Sequence, residues 1–139
     1  MLVSKARLYV VTLWAGSLWT IGYLVAPTLF GTLHDRVLAG VIAGSMFTTG
    51  AWVSTACGAL MLALLAVSKD VTKERRKLLY ILVIAMLVCL FLSHVGLRPM
   101  MAELKAAGDK AKFGMLHGVS MVLYLAQSLM AVFLVAKNP

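Results

Sequence analysis

Four long apolar blocks dominate this sequence and limit what it can fold into. They cover about residues 8–33, 37–67, 78–97 and 113–136. Each meets or exceeds the roughly 20 residues that an α-helix needs to cross about 30 Å of hydrocarbon. Charged residues make up 13% of the chain, against about 25% in soluble domains. The pattern therefore predicts an all-α polytopic membrane protein, with a single transmembrane domain over residues 1–139.

Short connections between the blocks predict the topology. Only His34, Asp35 and Arg36 separate the first two blocks, so these blocks should pair as a hairpin within an antiparallel four-helix bundle. Residues 99–107 predict a short interfacial helix between helices 3 and 4, ended by Gly108, with Asp109 capping the fourth helix. The side with both termini and the second connection carries eight of the 13 Lys and Arg residues. The positive-inside rule then predicts that both termini are cytoplasmic.

The net charge of +8 does not indicate nucleic-acid binding. The basic residues lie at the ends of the apolar blocks, where they meet lipid headgroups and set the topology. No basic face is interleaved with exposed aromatic residues. The expected partners are therefore membrane lipids and either a second copy of the chain or a larger membrane complex, and nucleic acid is not among them.

Small and polar side chains recur at helical spacing within the blocks, and in lipid such residues mark the faces where helices meet. Gln127 is the most informative, because a side-chain amide deep in a membrane helix needs a partner or water. The stripes fit either helix packing or a polar cavity that opens at one end. The residues expected to shape the helices and their contacts are Pro27, Gly40, Gly44, Pro99 and Gly118.

All three histidines fall toward the same end of the predicted bundle, and His94 and Arg98 are i,i+4 neighbours on one helix face. Three interpretations remain open. In the first, these are interfacial or packing residues; in the second, Arg98 and His117 bind an anion such as a lipid phosphate or a carboxylate. The third is a metal or haem site, for which His94, His117 and Met121 are the candidate ligands.

Catalysis by carboxylates is disfavoured, because all five acidic residues lie in loops or interfacial segments. The sequence does not decide whether the protein is an enzyme, but it favours a non-enzymatic component that handles a small molecule or lipid, or an accessory subunit of a membrane assembly. The alternative is a copper- or haem-binding membrane protein. The candidate ligand-binding residues are Arg98, His117, His94, Tyr124 and Gln127.

Several short motifs resemble one known family over nearly the whole chain. They are Trp14-Ala15-Gly16, Val25-Ala26-Pro27-Thr28-Leu29-Phe30, Ala39-Gly40, Met46-Phe47, Leu97-Arg98-Pro99-Met100 and Leu116-His117-Gly118-Val119-Ser120. In order and spacing they are similar to an uncharacterised bacterial membrane-protein family related to eukaryotic transmembrane protein 205. The resemblance implies a four-helix transmembrane fold, a bacterial cytoplasmic (inner) membrane location, and recurring polar positions at Arg98 and His117. It implies no established activity.

Overall fold

The computed structural model describes all residues, 1–139, and consists of four long helices. They are α1 (Leu2–Thr32), α2 (Arg36–Val67), α3 (Lys73–Ala106) and α4 (Lys110–Lys137). Each is long and apolar enough to cross a membrane, and the chain contains no β-strand. The predicted all-α fold with four candidate membrane spans is therefore confirmed.

An aspartate side chain caps the start of α2 and the start of α4. Asp35 accepts hydrogen bonds from the backbone N–H groups of Val37 and Leu38 at 3.0 and 3.1 Å, which fixes the start of α2. Asp109 caps α4 as predicted, through the N–H of Lys112 at 3.1 Å. The carboxylates thus satisfy N–H groups that the first turn of a helix leaves without partners.

The segment predicted to form a short interfacial helix is helical over Arg98–Ala106. It continues α3 without a break, so α3 runs well beyond the end of its apolar block. The helix ends just before Gly108, whose φ of 75° lies in the left-handed region that favours glycine.

Two of the helices widen into a π-helical turn shortly before a proline. In α1 the widened turn is Ile21–Val25 and Pro27 follows; in α3 it is Leu92–Leu97 and Pro99 follows. Proline has no N–H to donate, so it leaves a carbonyl in the preceding turn without its helical partner. Local π geometry is one way in which membrane helices accommodate this loss. The two widened turns belong to α1 and α3, and both contribute to the cavity described below.

The tightly packed core occupies one half of the bundle, which we call the closed half. Its centre is Trp14 of α1, Met61 of α2, Met86 of α3 and Leu134 of α4, none more than 1% exposed. Other buried members of the same apolar cluster are Val11, Ala15, Leu18, Cys57, Leu65, Val71, Leu79, Val83 and Ala131. All four helices are therefore locked together by apolar contacts in this half.

A fully buried arginine ties the closed half together at its end. Arg7 of α1 makes two hydrogen bonds to the Asp70 carboxylate, at 2.7 and 3.1 Å, and one to Asn138 Oδ1 at 3.2 Å. It also donates to the Ser68 hydroxyl. Arg7 therefore joins α1 to the connection between α2 and α3 and to the segment after α4. We call this set of residues the Arg7 clamp.

The Arg7 clamp contains an ion pair, in which Arg7 Nη2 lies 2.7 Å from Asp70 Oδ2. The hydrogen bonds from Arg7 lower the pKa of the Asp70 carboxyl from 3.8 to about 2, although the side chain is 44% exposed. Asp70 is thus ionised at every physiological pH, and the charge of Arg7 is compensated within the protein.

Candidate functional site: a cavity in the other half of the bundle

The other half of the bundle, which we call the open half, contains a cavity of about 1160 Å³ that is partly open to its surroundings. All four helices line it. Its wall includes Pro27 and Phe30 from α1, Gly40 and Phe47 from α2, and Ser93 from α3. The cavity begins among exposed residues such as Arg36 and Lys105 and reaches buried ones such as Ser54 and Gln127. It therefore runs from the surface into the apolar interior.

Tyr124 lines the cavity and also packs against the apolar cluster of the closed half. Its hydroxyl donates to the Leu18 carbonyl at 2.5 Å, and its ring lies edge-on to Phe47 with centroids 5.3 Å apart. Gly22 leaves room for the ring, because a Cβ there would lie 2.2 Å from Tyr124 Cε1. Since its hydroxyl is already bonded to α1, Tyr124 holds α1 against α4 in the cavity wall.

A second tyrosine strengthens this contact between α1 and α4. The Tyr23 hydroxyl donates to Ser128 Oγ at 2.9 Å, and the Ser128 hydroxyl donates to the Tyr124 carbonyl at 2.8 Å. The Trp19 indole N–H donates to the Ser128 carbonyl at 3.2 Å. The polar groups between α1 and α4 are thus satisfied just below the cavity.

Arg98 lies in the cavity wall and bridges α3 to α2. Its guanidinium donates to Thr48 Oγ1 at 2.5 Å and to the Gly44 carbonyl at 3.2 Å. It also contacts His94 Nδ1 at 3.2 Å. Because arginine can only donate, this contact requires His94 Nδ1 to accept and leaves the proton on Nε2. All three partners are neutral, so the positive charge of Arg98 is not compensated.

His117 lines the same cavity but makes no hydrogen bond to Arg98 or His94. Its ring is stacked on Phe113, with centroids 6.0 Å apart and planes 7° apart. The structure thus joins His94 to Arg98 and places His117 elsewhere in the cavity wall. Met121 also lines the cavity, whereas His34 does not.

This geometry does not favour the metal or haem alternative. No group of three or more His, Cys, Asp or Glu side chains lies close enough together to hold a metal ion. The one nitrogen of His94 that could act as a ligand in this tautomer faces the cationic Arg98, which would repel a metal ion.

Two polar side chains in the cavity wall are buried without a partner. Gln127 is 2% exposed and its amide makes no hydrogen bond to another protein group. Ser93 is 8% exposed and its hydroxyl likewise has no partner. A buried polar group without a hydrogen bond costs about 1–3 kcal/mol. Both side chains therefore leave hydrogen-bonding capacity that the protein does not use.

The glycines that the sequence singled out belong to the cavity wall. Gly40, Gly44 and Gly118 all line it, and nothing lies within 4 Å of a Cβ built on Gly40 or Gly118. A Cβ on Gly44 would lie 3.4 Å from the Arg98 guanidinium. These positions keep the cavity wide. Pro27 also lines it, and Pro99 lies on α3 next to Arg98.

Sequence reasoning did not single out Ser93 or Gly22. The signal for Ser93 was present, because it is a hydroxyl within the third apolar block and directly precedes His94. For Gly22 there was no comparable signal, since its importance depends on a tyrosine from a distant helix.

The fold and the cavity define a class of protein: a four-helix protein of membrane-spanning character with a polar-lined cavity between its helices. A comparison with protein families identifies the group within that class. The family model described as a domain of unknown function, DUF4149, matches residues 9–110, which is more than half of the chain. The chain therefore belongs to the DUF4149 family. No curated protein and no solved structure matches it.

Proposed function

We propose that this protein is a non-enzymatic membrane component that binds a lipid or another lipid-soluble molecule in the cavity of its open half. The observation that carries the proposal is the pair of unpartnered buried side chains, Gln127 and Ser93, in the wall of a 1160 Å³ cavity. Within a bilayer no bulk water satisfies such groups. A bound molecule, or water that accompanies it, supplies the missing hydrogen bonds.

The size and the lining of the cavity support a lipid-sized ligand. Pockets for drug-sized molecules measure about 300–1,000 Å³, and this cavity is at least as large. Its wall is largely apolar and aromatic, with Ile21, Phe47, Leu90 and Leu125 among the lining residues. An apolar body therefore fits along the wall, while the few polar groups fix its position.

The lining also supports binding rather than catalysis. None of the acidic residues lines the cavity, so no carboxylate is placed for acid–base chemistry. The histidine that has a polar partner, His94, contacts Arg98 and not a serine hydroxyl. A nucleophile activated by a neighbouring base is thus not assembled here.

Native mass spectrometry of the protein released from mild detergent tests this function. We expect the wild type to retain a bound lipid-soluble molecule, and Gly118→Phe to lose it because the new ring fills the cavity. Gly114→Phe is the matched control: it lies one turn earlier on α4, outside the cavity wall, and a Cβ there also meets nothing within 4 Å. A wild type that carries no such molecule and binds none on addition would contradict the proposal.

The proposal includes the arrangement in the membrane. We place the protein in a bacterial cytoplasmic membrane, in a family related to transmembrane protein 205, with antiparallel spans and both termini in the cytoplasm. The Arg7 clamp supports the common side of the termini, because it joins α1 to Asn138 near the end of the chain. Reporter fusions at the C-terminus and in the connection at His34 should report opposite sides, and equal signals would refute this topology.

A further inference from the structure

All charged side chains that line the cavity are cationic. They are Arg36, Arg98 and Lys105, and no Asp or Glu joins them. The only ion pair in the structure is that of Arg7 with Asp70, so none of the three cations has a carboxylate within ion-pair distance. The cavity therefore carries a positive charge that the protein itself does not neutralise.

Of these three cations, Arg98 is the best placed to bind an anion. It is half-buried, and its partners on α2 and α3 are a hydroxyl, a carbonyl and an imidazole, all neutral. A guanidinium has five N–H donors, so donors remain free after these contacts. The contacts hold the guanidinium in a fixed orientation. A positioned but uncompensated arginine favours an anion that accepts two hydrogen bonds at once, such as a phosphate or a carboxylate.

The cavity continues beyond Arg98 into an apolar region. Arg98 contacts α2 at Gly44 and Thr48, and the wall on α2 continues to Ser54. Ten residues of helix separate Gly44 from Ser54, which corresponds to roughly 15 Å. This stretch is deep enough for an apolar body attached to the anion and is flanked by Phe47 and Leu90.

We propose that the ligand of the cavity is an anionic amphiphile, whose phosphate or carboxylate head pairs with Arg98 and whose apolar body extends toward Gln127. This inference rests on the proposed binding function and names the chemistry of its ligand. Lys105 and Arg36 lie among the exposed lining residues. They attract the anionic head toward the entrance, because long-range charge attraction raises the rate of encounter.

The test is a competition experiment with the full-length protein in a neutral detergent, read out by native mass spectrometry. Three probes share one chain and differ in the head: hexadecyl phosphate, hexadecanoate and hexadecanol. Inorganic phosphate is tested separately. We expect at least one anionic probe to bind about tenfold better than the alcohol, as expected for a charge-assisted bidentate contact. Whichever anion binds better identifies the head as phosphate or carboxylate.

Variants then assign the preference to Arg98. Arg98→Gln should reduce the preference for the anionic probes about tenfold while still binding hexadecanol, and Arg98→Lys, which keeps the charge but not the bidentate fork, should keep only part of it. Arg75→Gln removes a charge from an exposed position outside the cavity wall and should behave like the wild type. If Arg98→Gln does not fold, the part of the preference that Arg98→Lys loses relative to the wild type still decides the question, and an unchanged preference in Arg98→Lys contradicts the bidentate contact.

Three results would overturn the inference, and they are distinguishable. Equal binding of all three chain probes refutes the anionic head but leaves the proposed function standing. If inorganic phosphate binds as well as hexadecyl phosphate, the apolar chain does not contribute to binding, and the proposal that the ligand is an amphiphile is refuted. Failure of every chain probe to bind, hexadecanol included, refutes the inference together with the proposed function.

Discussion

The two halves of this bundle each contain an arginine, and they differ in whether the protein compensates its charge. In the closed half, Arg7 is fully buried and its charge is compensated by Asp70. In the open half, Arg98 has only neutral partners and faces a cavity. A buried charge is costly unless it is paired. The comparison teaches that only one of the two arginines has its charge neutralised within the protein, and this difference motivates the proposal that Arg98 pairs with an anionic ligand.

The polar groups near the two arginines differ in whether the protein satisfies them. The hydroxyls of Tyr23, Tyr124 and Ser128 all have protein partners, whereas Gln127 and Ser93 in the open half have none. Unpartnered buried groups also occur in the closed half, at the Trp14 indole N–H and at Arg76 Nε, but neither residue lines the cavity.

The largest effect on stability is expected from the Arg7 clamp. Arg7→Ala removes charge-assisted hydrogen bonds that join three segments of the chain, so the free energy of unfolding should fall by about 2–3 kcal/mol. Unfolding in detergent measures the loss, with the exposed Arg75→Ala as the control, which should change by less than about 0.5 kcal/mol. Equal effects of the two substitutions would show that the clamp is not structural.

Substitutions at the boundary between the halves should lower the free energy of unfolding almost as much. A Cβ at Gly22 would lie 2.2 Å from Tyr124 Cε1, so Gly22→Ala displaces the ring and should cost about 1–3 kcal/mol through overpacking. Gly16→Ala in the same helix meets nothing within 4 Å and should be neutral or slightly stabilising. If Gly22→Ala is also neutral, Tyr124 does not pack on α1 as described.

The closed half should also respond to acid through Asp70. Its pKa is lowered to about 2 in the folded protein, so its contribution to stability is complete above about pH 4 and is lost as the pH falls toward 2. Thermal unfolding of the wild type and of Asp70→Asn between pH 2 and 6 isolates this contribution. The difference between them should shrink as the pH falls; a constant difference would contradict the ion pair.

The smallest effect on stability is expected from Arg98 itself. Arg98→Gln loses contacts to neutral acceptors, which lowers the free energy of unfolding. It also removes an uncompensated charge, which raises the free energy of unfolding, so the two effects oppose each other. In neutral detergent without an anionic amphiphile, the free energy of unfolding should change by less than about 1 kcal/mol. A loss as large as that of Arg7→Ala would mean that Arg98 is a structural residue, and the contrast between the two halves would fail.

Local features of the sequence were sufficient to predict the four helices and part of the site. Apolar runs long enough to span a membrane depend only on neighbouring residues, and the pairing of His94 with Arg98 follows from their i,i+4 spacing. The structure confirms the four helices and shows the contact between His94 and Arg98. The Asp109 cap is equally local and was also predicted.

Features that depend on distant residues were not predicted. Arg7 was counted only as a topology-setting charge, because its partners Asp70 and Asn138 are far away in the sequence. A signal did exist: Arg7 shares the face of α1 that carries the buried residues Val11, Trp14 and Leu18, at spacings of four, three and four. The cavity left no such signal, because an empty volume arises only from how the four helices pack.

The contrast between the halves can be tested most directly by comparing two buried polar groups that lack a protein partner. The Gln127 amide lines the cavity, whereas the Trp14 indole N–H is buried in the closed half. In deuterated protein with a protonated anionic amphiphile bound, nuclear Overhauser contacts should join the Gln127 amide to the ligand and none should reach the Trp14 indole. Ligand contacts at neither group, or at both alike, would contradict the claim that the open half binds the ligand and that the closed half only holds the helices together.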